Sequence, residues 1–314
     1  MITIDIETDT KHSTIWCACT EDVETGQTEC HTEPSTLQAL IDEHDGIVTY
    51  NGIGFDIPVL NRLWDMEIGE DKKHVDAMLL SRLYNPSVQG GHSLRSWGER
   101  LSYPKDDFTD YDGGLCEEMI TYCKRDVNLT TKVYKKLLAD LKNDKFSNDC
   151  IELEHRVTEE LEIQTENGFK IDLNKANDLY SSLNFRMREI EAQLQTEFKP
   201  IVTKFNVGSR QQIAKRLRSV GIRFTEKTEG GSYRIDEDVL EAIDHPLAQL
   251  VAEYLLVQKR ASQVGSWLES VGDDGRVHGR VFSSGAATGR MTHISPNMAQ
   301  VPATRKVHDG LTPV

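Results

Sequence analysis

Three short segments hold residues whose types and spacing could do chemistry. Asp5 and Glu7 are two residues apart in a stretch where Ile2, Ile4 and Ile6 alternate with Thr3, Asp5 and Glu7. Period two predicts a strand with both carboxylates on one face and the isoleucines on the other. Neighbouring carboxylates repel unless a cation lies between them, so the pair favours a hard divalent metal; a solvated acidic strand face is the plainer alternative. Asn51-Gly52-Ile53-Gly54-Phe55-Asp56 follows an apolar strand over Gly46–Tyr50. Its glycines allow a tight backbone path and Asp56 can open the next helix, where it also fits a simple N-cap. Tyr122 and Asp126 stand four apart in a helical pattern, so they share a face beside Met119, Cys123 and Val127. Alone, that pair also fits a surface acid and a half-buried tyrosine.

The elements that must carry these residues alternate in the first half. Strands are expected over Ile2–Glu7, Thr14–Thr20, Gln27–Thr32 and Gly46–Tyr50. Helices are expected from Ser35, as cap, to His44, and over Pro58–Trp64, Val75–Leu83, Ser93–Leu101 and Leu115–Leu141. This pattern predicts a mixed α/β sheet. The second half reads as helix. Cys150–Glu166 stops at Asn167-Gly168, Asp172 and Ser209 cap two more helices, and His245-Pro246 opens another running to Leu268. Arg276–Phe282 reads as a strand. The polar segment Asn143–Asp149 has linker character and suggests a domain boundary.

At 314 residues the chain has room for two domains. With 38% hydrophobic and 28% charged residues it is too apolar for a disordered chain. No apolar run reaches the ~18–20 residues needed to span a bilayer, and residues 1–20 lack a basic start and apolar core, so neither membrane nor signal peptide is expected. Six cysteines form no C-x-x-C pair, and Cys17 and Cys19 would point in parallel from one strand, a poor bridge geometry. A disulfide framework or zinc ribbon is not expected, and a reducing cytoplasm fits. The net charge of −15 argues at first against a nucleic-acid binder. It is uneven, however: −12 over residues 1–145, −3 over the rest, and +3 from Leu255 to Val314.

In their order, the three segments resemble the Asp-x-Glu, Asn-x-x-x-Phe-Asp and Tyr-x-x-x-Asp motifs of the DEDD exonuclease superfamily, tyrosine subclass. This pattern marks the 3′–5′ proofreading domain of family A DNA polymerases. His74-Val75-Asp76 ahead of Leu79–Leu83, and Gly91-His92-Ser93-Leu94 leading to Trp97-Gly98, resemble its phage replicative members. The resemblance implies a ribonuclease H-like exonuclease domain over 1–145, with Asp5, Glu7, Asp56, Tyr122 and Asp126 as its site. The four carboxylates would hold two Mg²⁺ (or Mn²⁺) about 3.5–4 Å apart. Asp5 would bridge the metals, Glu7 and Asp126 would complete the site that activates water, and Asp56 would serve the second metal. Tyr122 would orient the water or the phosphate, its hydroxyl being a poor base at neutral pH. Bound metal reverses the local field, so an acidic chain can still cut nucleic acid.

The second half resembles the same family. Phe205-Asn206-Val207-Gly208-Ser209 is similar to its Phe-Asn-x-x-Ser thumb tip, and Tyr254–Arg260 to the thumb helix returning toward the palm. Thr288-Gly289-Arg290 and Pro296-Asn297-Met298-Ala299-Gln300-Val301-Pro302 are similar to its Thr-Gly-Arg and Pro-Asn-Leu-x-x-x-Pro, with Met298 for the usual Leu. This implies a mostly α-helical thumb over 150–275 and the start of a palm over 276–314. The candidate DNA contacts are Asn206, Ser209, Lys259, Arg260, Thr288, Arg290, Asn297 and Gln300. Ser209 also fits a plain cap, and Lys259 and Arg260 a solvated pair. The family's Asp-x-Ser-x-x-Glu-Leu-Arg palm motif does not occur, so this chain alone is not expected to polymerise DNA. The implied partners are a single-stranded 3′ end, primer–template DNA and a separate palm and fingers chain. Only Lys199–Lys204 precedes Phe205, so a thioredoxin-binding insertion is not expected. Two alternatives remain: a ribonuclease D-like RNA exonuclease, which leaves Thr288-Gly289-Arg290 unexplained, and a DNA-binding subunit with a silent site.

Overall fold

The computed structural model describes residues 1–66, 68, 72–199, 204–301, 305–307 and 310–312. Two compact units result, one of Met1–Asn167 with Gly279–Val314 and one of Gly168–His278.

The first unit opens with the antiparallel strands β1 (Ile2–Thr8), β2 (Ile15–Asp22) and β3 (Thr28–His31). There follow α1 (Pro34–Asp42), β4 (Gly46–Thr49), α2 (Asp56–Trp64), β5 (Lys73–Asp76), α3 (Ala77–Tyr84) and α4 (Leu94–Arg100). The long helices α5 (Glu117–Asn143) and α6 (Asn148–Asn167) come next. β4 pairs parallel with β1, and β5 parallel with β4, giving the mixed order β3-β2-β1-β4-β5. Ile2, Ile4 and Ile6 pack with Leu37 and Ile41 of α1 and with Ile57, Val59 and Leu60 of α2. The polar face of β1 is equally enclosed. α5 covers it, and Thr3 Oγ1 lies 2.7 Å from Thr131 Oγ1. The alternation in β1 therefore separates two interiors, one apolar and one holding the carboxylates.

Several expected boundaries move for physical reasons. The helix expected over Val75–Leu83 starts at Ala77; Val75 and Asp76 end β5. The Asp76 carboxylate caps α3, accepting from the backbone N–H of Met78 at 2.9 Å and of Leu79 at 3.3 Å. The helical spacing of Val75, Leu79 and Leu80 hid that boundary. α1 begins at Pro34 after Glu33, whose side chain makes no cap bond, and not after a Ser35 cap. The polar run at 143–149 turns α5 into α6 within one unit, and Phe146 and Ile151 pack there against the core of Leu137 and Leu141. The compact units part instead at Asn167–Gly168 and His278–Gly279.

The second unit comprises β6 (Phe169–Lys170), α7 (Leu173–Phe198), α8 (Arg210–Ser219), α9 (Glu237–Glu241), α10 (Pro246–Glu269) and β7 (Arg276–Val277). β6 and β7 pair antiparallel, so the chain enters and leaves this unit through one ribbon. Its core joins Ile190, Leu194 and Phe198 of α7 to Leu217, Leu240, Val251 and Leu255. The two expected caps form: Asp172 accepts from Lys175 N at 3.1 Å and Ser209 from Gln212 N at 3.4 Å; at the helix opened by His245-Pro246, the His245 ring also accepts from Leu247 N at 3.1 Å. The short α9 was not expected. Residues 200–203 of the expected Lys199–Lys204 link lie outside the described residues.

The strand expected over Arg276–Phe282 is two strands in separate sheets. β7 ends at Val277, and β8 (Arg280–Phe282) pairs with β9 (Thr292–Ile294) in the first unit. Gly279 separates them, where an added Cβ would lie 2.6 Å from the Pro296 carbonyl. β10 (Arg305–Val307) and β11 (Gly310–Thr312) form a last pair. Among the described residues no helix is long and apolar enough to cross a membrane.

Candidate active site

The register of β1 on β2 sets Asp5 opposite Cys19 and Glu7 opposite Cys17, all facing α5. Carboxylate oxygens of Asp5 and Glu7 and the Cys123 sulfur lie within 4.8 Å of one another. β4 pairs with β1 only at Ile2 and Thr3, so the edge of β1 beyond them is open. Asp56 fills it: its Oδ1 accepts from the Ile6 N–H, between Asp5 and Glu7, at 3.1 Å.

The loop that delivers Asp56 is built for close approach. A Cβ on Gly52 would lie 2.3 Å from the Thr49 side chain. Asp76 accepts from Asn51 N at 3.0 Å and Ile53 N at 3.4 Å. His155 Nδ1 bonds the Ile151 carbonyl, leaving Nε2 to accept from Asp76 N at 2.9 Å. The Gly54 carbonyl accepts from Arg280 of β8 at 3.0 Å, with Glu162 Oε1 3.4 Å from the same guanidinium nitrogen.

α5 supplies the rest. Met119, Cys123 and Val127 pack against Cys17 and Cys19 of β2. That contact turns Tyr122 and Asp126, both buried, toward the carboxylates. Cys123 Sγ reaches the Asp5 carbonyl at 3.5 Å and Asp5 Oδ2 at 3.7 Å. Tyr122 lies beside Phe108, and the Tyr111 hydroxyl donates to the Tyr122 hydroxyl at 3.4 Å. The ammonium of Lys105 is paired with Asp126 Oδ2 and sits 4.8 Å from the centre of the Tyr122 ring.

The five residues singled out in the sequence thus come together, and their electrostatics agree. Burial holds Asp5 well above the usual carboxylate range, helped by the charges of Asp56, Glu7 and Asp126. Burial, then Asp126, pushes Glu7 up to about 8. Burial pushes Asp56 up to about 7 against the opposing Ile6 bond, and raises Asp126 against the pull of Lys105. Burial also raises the Tyr122 phenol, so it stays protonated. Asp126 Oδ1 is buried with no hydrogen-bond partner. A set of hard carboxylate oxygens, mutually repelling and partly unpartnered, fits a divalent cation of the Mg²⁺ type.

Lys105 and Tyr111 were missed by sequence reading. They lie in a loop with no periodicity, and no local spacing relates Lys105 to Asp126.

The other candidates fall into two groups. In the second unit, Asn206 Oδ1 accepts from Gly208 N at 2.8 Å, and a Cβ on Gly208 would lie 3.2 Å from Gln258, the neighbour of Lys259 and Arg260. Lys259 is exposed, 3.9 Å from Glu237, while Arg260 bonds Gln263 at 3.3 Å and keeps a buried, unpartnered Nε. In the first unit, Thr288 and Arg290 are exposed in the β8–β9 connection, where the Arg290 carbonyl accepts from Ala286 N at 3.0 Å. Asn297 Oδ1 accepts from Ala299 N at 3.0 Å, and Gln300 is exposed. Pro302 of that motif lies outside the described residues.

A mixed five-stranded sheet with carboxylates on its first strand and on the helix packed across it defines a ribonuclease H-like domain, and residues 2–138 match the RNase_H superfamily. Residues 174–311 match DNA polymerase family A. The chain therefore joins a ribonuclease H-like domain to a family A DNA polymerase segment. It is similar to the DNA-directed DNA polymerase of Escherichia phage T7, 26% identical over 399 aligned positions that cover 86% of this chain and 57% of the relative. DNA polymerase I of Mycobacterium tuberculosis is 28% identical over 151 residues, 45% of this chain and 16% of the relative. The solved polymerase domain of Pol1 from M. smegmatis, in complex with a DNA primer-template and dNTP, shares the fold. Its TM-score is 0.75 at 19% identity, covering 96% of this chain and 52% of that one. The chain spans little more than half the length of the relatives it matches most fully.

Proposed function

We propose that the first unit is a metal-dependent 3′–5′ exonuclease acting on DNA, and that it proofreads for a family A polymerase. The observation that carries this reading is the convergence of half-buried Asp5 and buried Glu7, Asp56 and Asp126 on one cluster beside Tyr122, with Asp126 Oδ1 left unpartnered. Asp5, Glu7, Asp56 and Asp126 would hold the cations. Held there, divalent cations would supply a hydroxide nucleophile at neutral pH and charge stabilisation for the leaving oxygen. Tyr122, kept protonated by burial, offers an O–H to orient the attacking water or a phosphate oxygen, and Tyr111 fixes its direction. Phe108 and Tyr111 give the site an aromatic border against which an unpaired terminal base can stack. The products are 5′-mononucleotides.

Asn206, Ser209, Lys259 and Arg260 in the second unit, and Thr288, Arg290, Asn297 and Gln300 in the first, are proposed contacts to primer–template DNA. The test is Mg²⁺-dependent release of nucleotides from single-stranded DNA, with RNA of the same sequence alongside. Asp5→Ala is expected to reduce release to background, and wild type to prefer DNA. Unchanged release by Asp5→Ala would remove the mechanism, and preference for RNA would overturn the substrate.

A further inference from the structure

Lys105 belongs to none of the motifs, yet its position is built with care. It sits in the 101–116 connection between α4 and α5, which is fastened along its length. Tyr103 N donates to the Gly98 carbonyl at 2.8 Å, and Arg125 Nε to the Pro104 carbonyl at 2.7 Å. The Arg125 guanidinium also lies 4.3 Å from the centre of the Tyr103 ring. Further on, Trp16 Nε1 donates to the Tyr111 carbonyl at 2.8 Å, and Thr10 N and Oγ1 reach Asp112 Oδ1 at 3.0 and 2.9 Å. Between these anchors the Lys105 ammonium is delivered to Asp126 Oδ2, its side chain 20% exposed and lying against the Tyr122 ring.

Four carboxylates in one cluster, three of them buried, are costly without a compensating cation. An ammonium on Asp126 occupies one oxygen of a proposed metal ligand, so it and an incoming divalent cation compete for the same negative charge. We propose that Lys105 is a positioning residue: its ammonium is the resident counter-ion of the carboxylate cluster before metal enters, and it yields Asp126 to the divalent cation. This rests on the reading of the four carboxylates as metal ligands. It adds that the chain carries its own stand-in for the metal, which keeps the ligands gathered and gives way on loading.

A merely structural lysine and a counter-ion lysine predict opposite signs. Removing a structural anchor loosens the cluster and weakens metal binding. Removing a competing charge strengthens it, because the cluster gains one net negative charge. The experiment is calorimetric titration of the full chain with Mn²⁺ at neutral pH, with thermal unfolding in chelator and in saturating Mn²⁺. Lys105→Met is expected to unfold at a lower temperature than wild type in chelator and to regain most of that loss in Mn²⁺. Its half-saturating Mn²⁺ concentration is expected to fall by on the order of tenfold. Lys105→Arg, which keeps the charge, is expected to restore wild-type values. Lys105→Gln is read in the same way as Lys105→Met should the latter fail to fold. Unchanged or weaker Mn²⁺ binding in the neutral variants would overturn the proposal. Wild type that binds Mn²⁺ but releases no nucleotides would overturn the exonuclease reading and leave the counter-ion standing.

Discussion

The two units carry charge in opposite ways. The unit of residues 168–278 has sixteen acidic and sixteen basic residues, so the whole net charge of −15 belongs to the other. In the acidic unit, the negative charge that matters is buried: Glu7, Asp56 and Asp126 are each less than a tenth exposed. In the neutral unit, charge is segregated along the chain. From Lys199 to Arg223 there are seven basic residues and no acidic one, and the stretch includes the Ser209-capped helix α8. On the proposed function, the difference teaches how one chain would meet a polyanion twice. A carboxylate cluster would hold a cation that faces the phosphate, whereas exposed lysines and arginines would face it directly. Net charge, summed over both, describes neither.

The comparison breaks first if the units do not fold on separate cores. Phe198, 1% exposed, packs edge-on against Phe205 at 5.5 Å in the core of the neutral unit. Phe198→Ala removes a large buried ring, and such truncations cost roughly 3–5 kcal/mol. Calorimetry is expected to show the loss in one of two unfolding transitions, with Mn²⁺ binding by the acidic unit unchanged. A single transition that falls as a whole, together with weakened Mn²⁺ binding, would show one cooperative body.

The buried carboxylates set the next effect, on the order of a few kcal/mol. Burial raises Glu7 to about 8 and Asp56 to about 7, and raises Asp5 and Asp126. A group whose folded pKa lies above its unfolded value keeps its proton longer in the folded state. Its contribution is fully present below about pH 4, the ordinary carboxylate value, and is lost as pH rises toward the folded one. In chelator, the melting temperature of the acidic unit is therefore expected to fall between pH 5 and pH 8, and saturating Mg²⁺ to restore it. A melting temperature that rises over that range without metal would mean the carboxylates are ionised and satisfied by protein groups alone.

How much of this was legible in the sequence follows the same division. Asp5, Glu7, Asp56, Tyr122 and Asp126 could be read together because their three short segments resemble, in order, the motifs of one exonuclease family; period two and period 3.6 place only Asp5 with Glu7 and Tyr122 with Asp126 on one face. That the face of β1 carrying Asp5 and Glu7 is interior could not be read, since the covering helix α5 lies more than a hundred residues away. Lys105 was illegible for the same reason: its partner Asp126 is set by the anchored loop and not by spacing. The caps at Asp172 and Ser209 were legible because a cap is a contact between near neighbours. The assignment of α6 and β8 to the first unit was not. It depends on Arg280 meeting Gly54 and on Thr158 meeting Ser283, at sequence separations of 226 and 125.

The smallest effect separates a cap from a contact. Ser93 and Ser209 do the same local work in the two units. Ser93 accepts from Ser96 N at 3.1 Å to open α4, and Ser209 from Gln212 N at 3.4 Å to open α8. Replacing either by Ala costs about 1 kcal/mol of helix-capping energy, so each variant is expected to lower the stability of its own unit slightly. Only Ser209 opens a helix set in the run of basic residues, where α8 presents free backbone N–H groups to an anion. Ser209→Ala is therefore expected to weaken binding of duplex DNA by a few-fold at low salt, and Ser93→Ala to leave it unchanged. Binding is measured by fluorescence anisotropy, with salt varied to expose the phosphate component. Equal duplex affinity for both variants would reduce Ser209 to a cap and remove the thumb-tip contact from the proposed DNA interface.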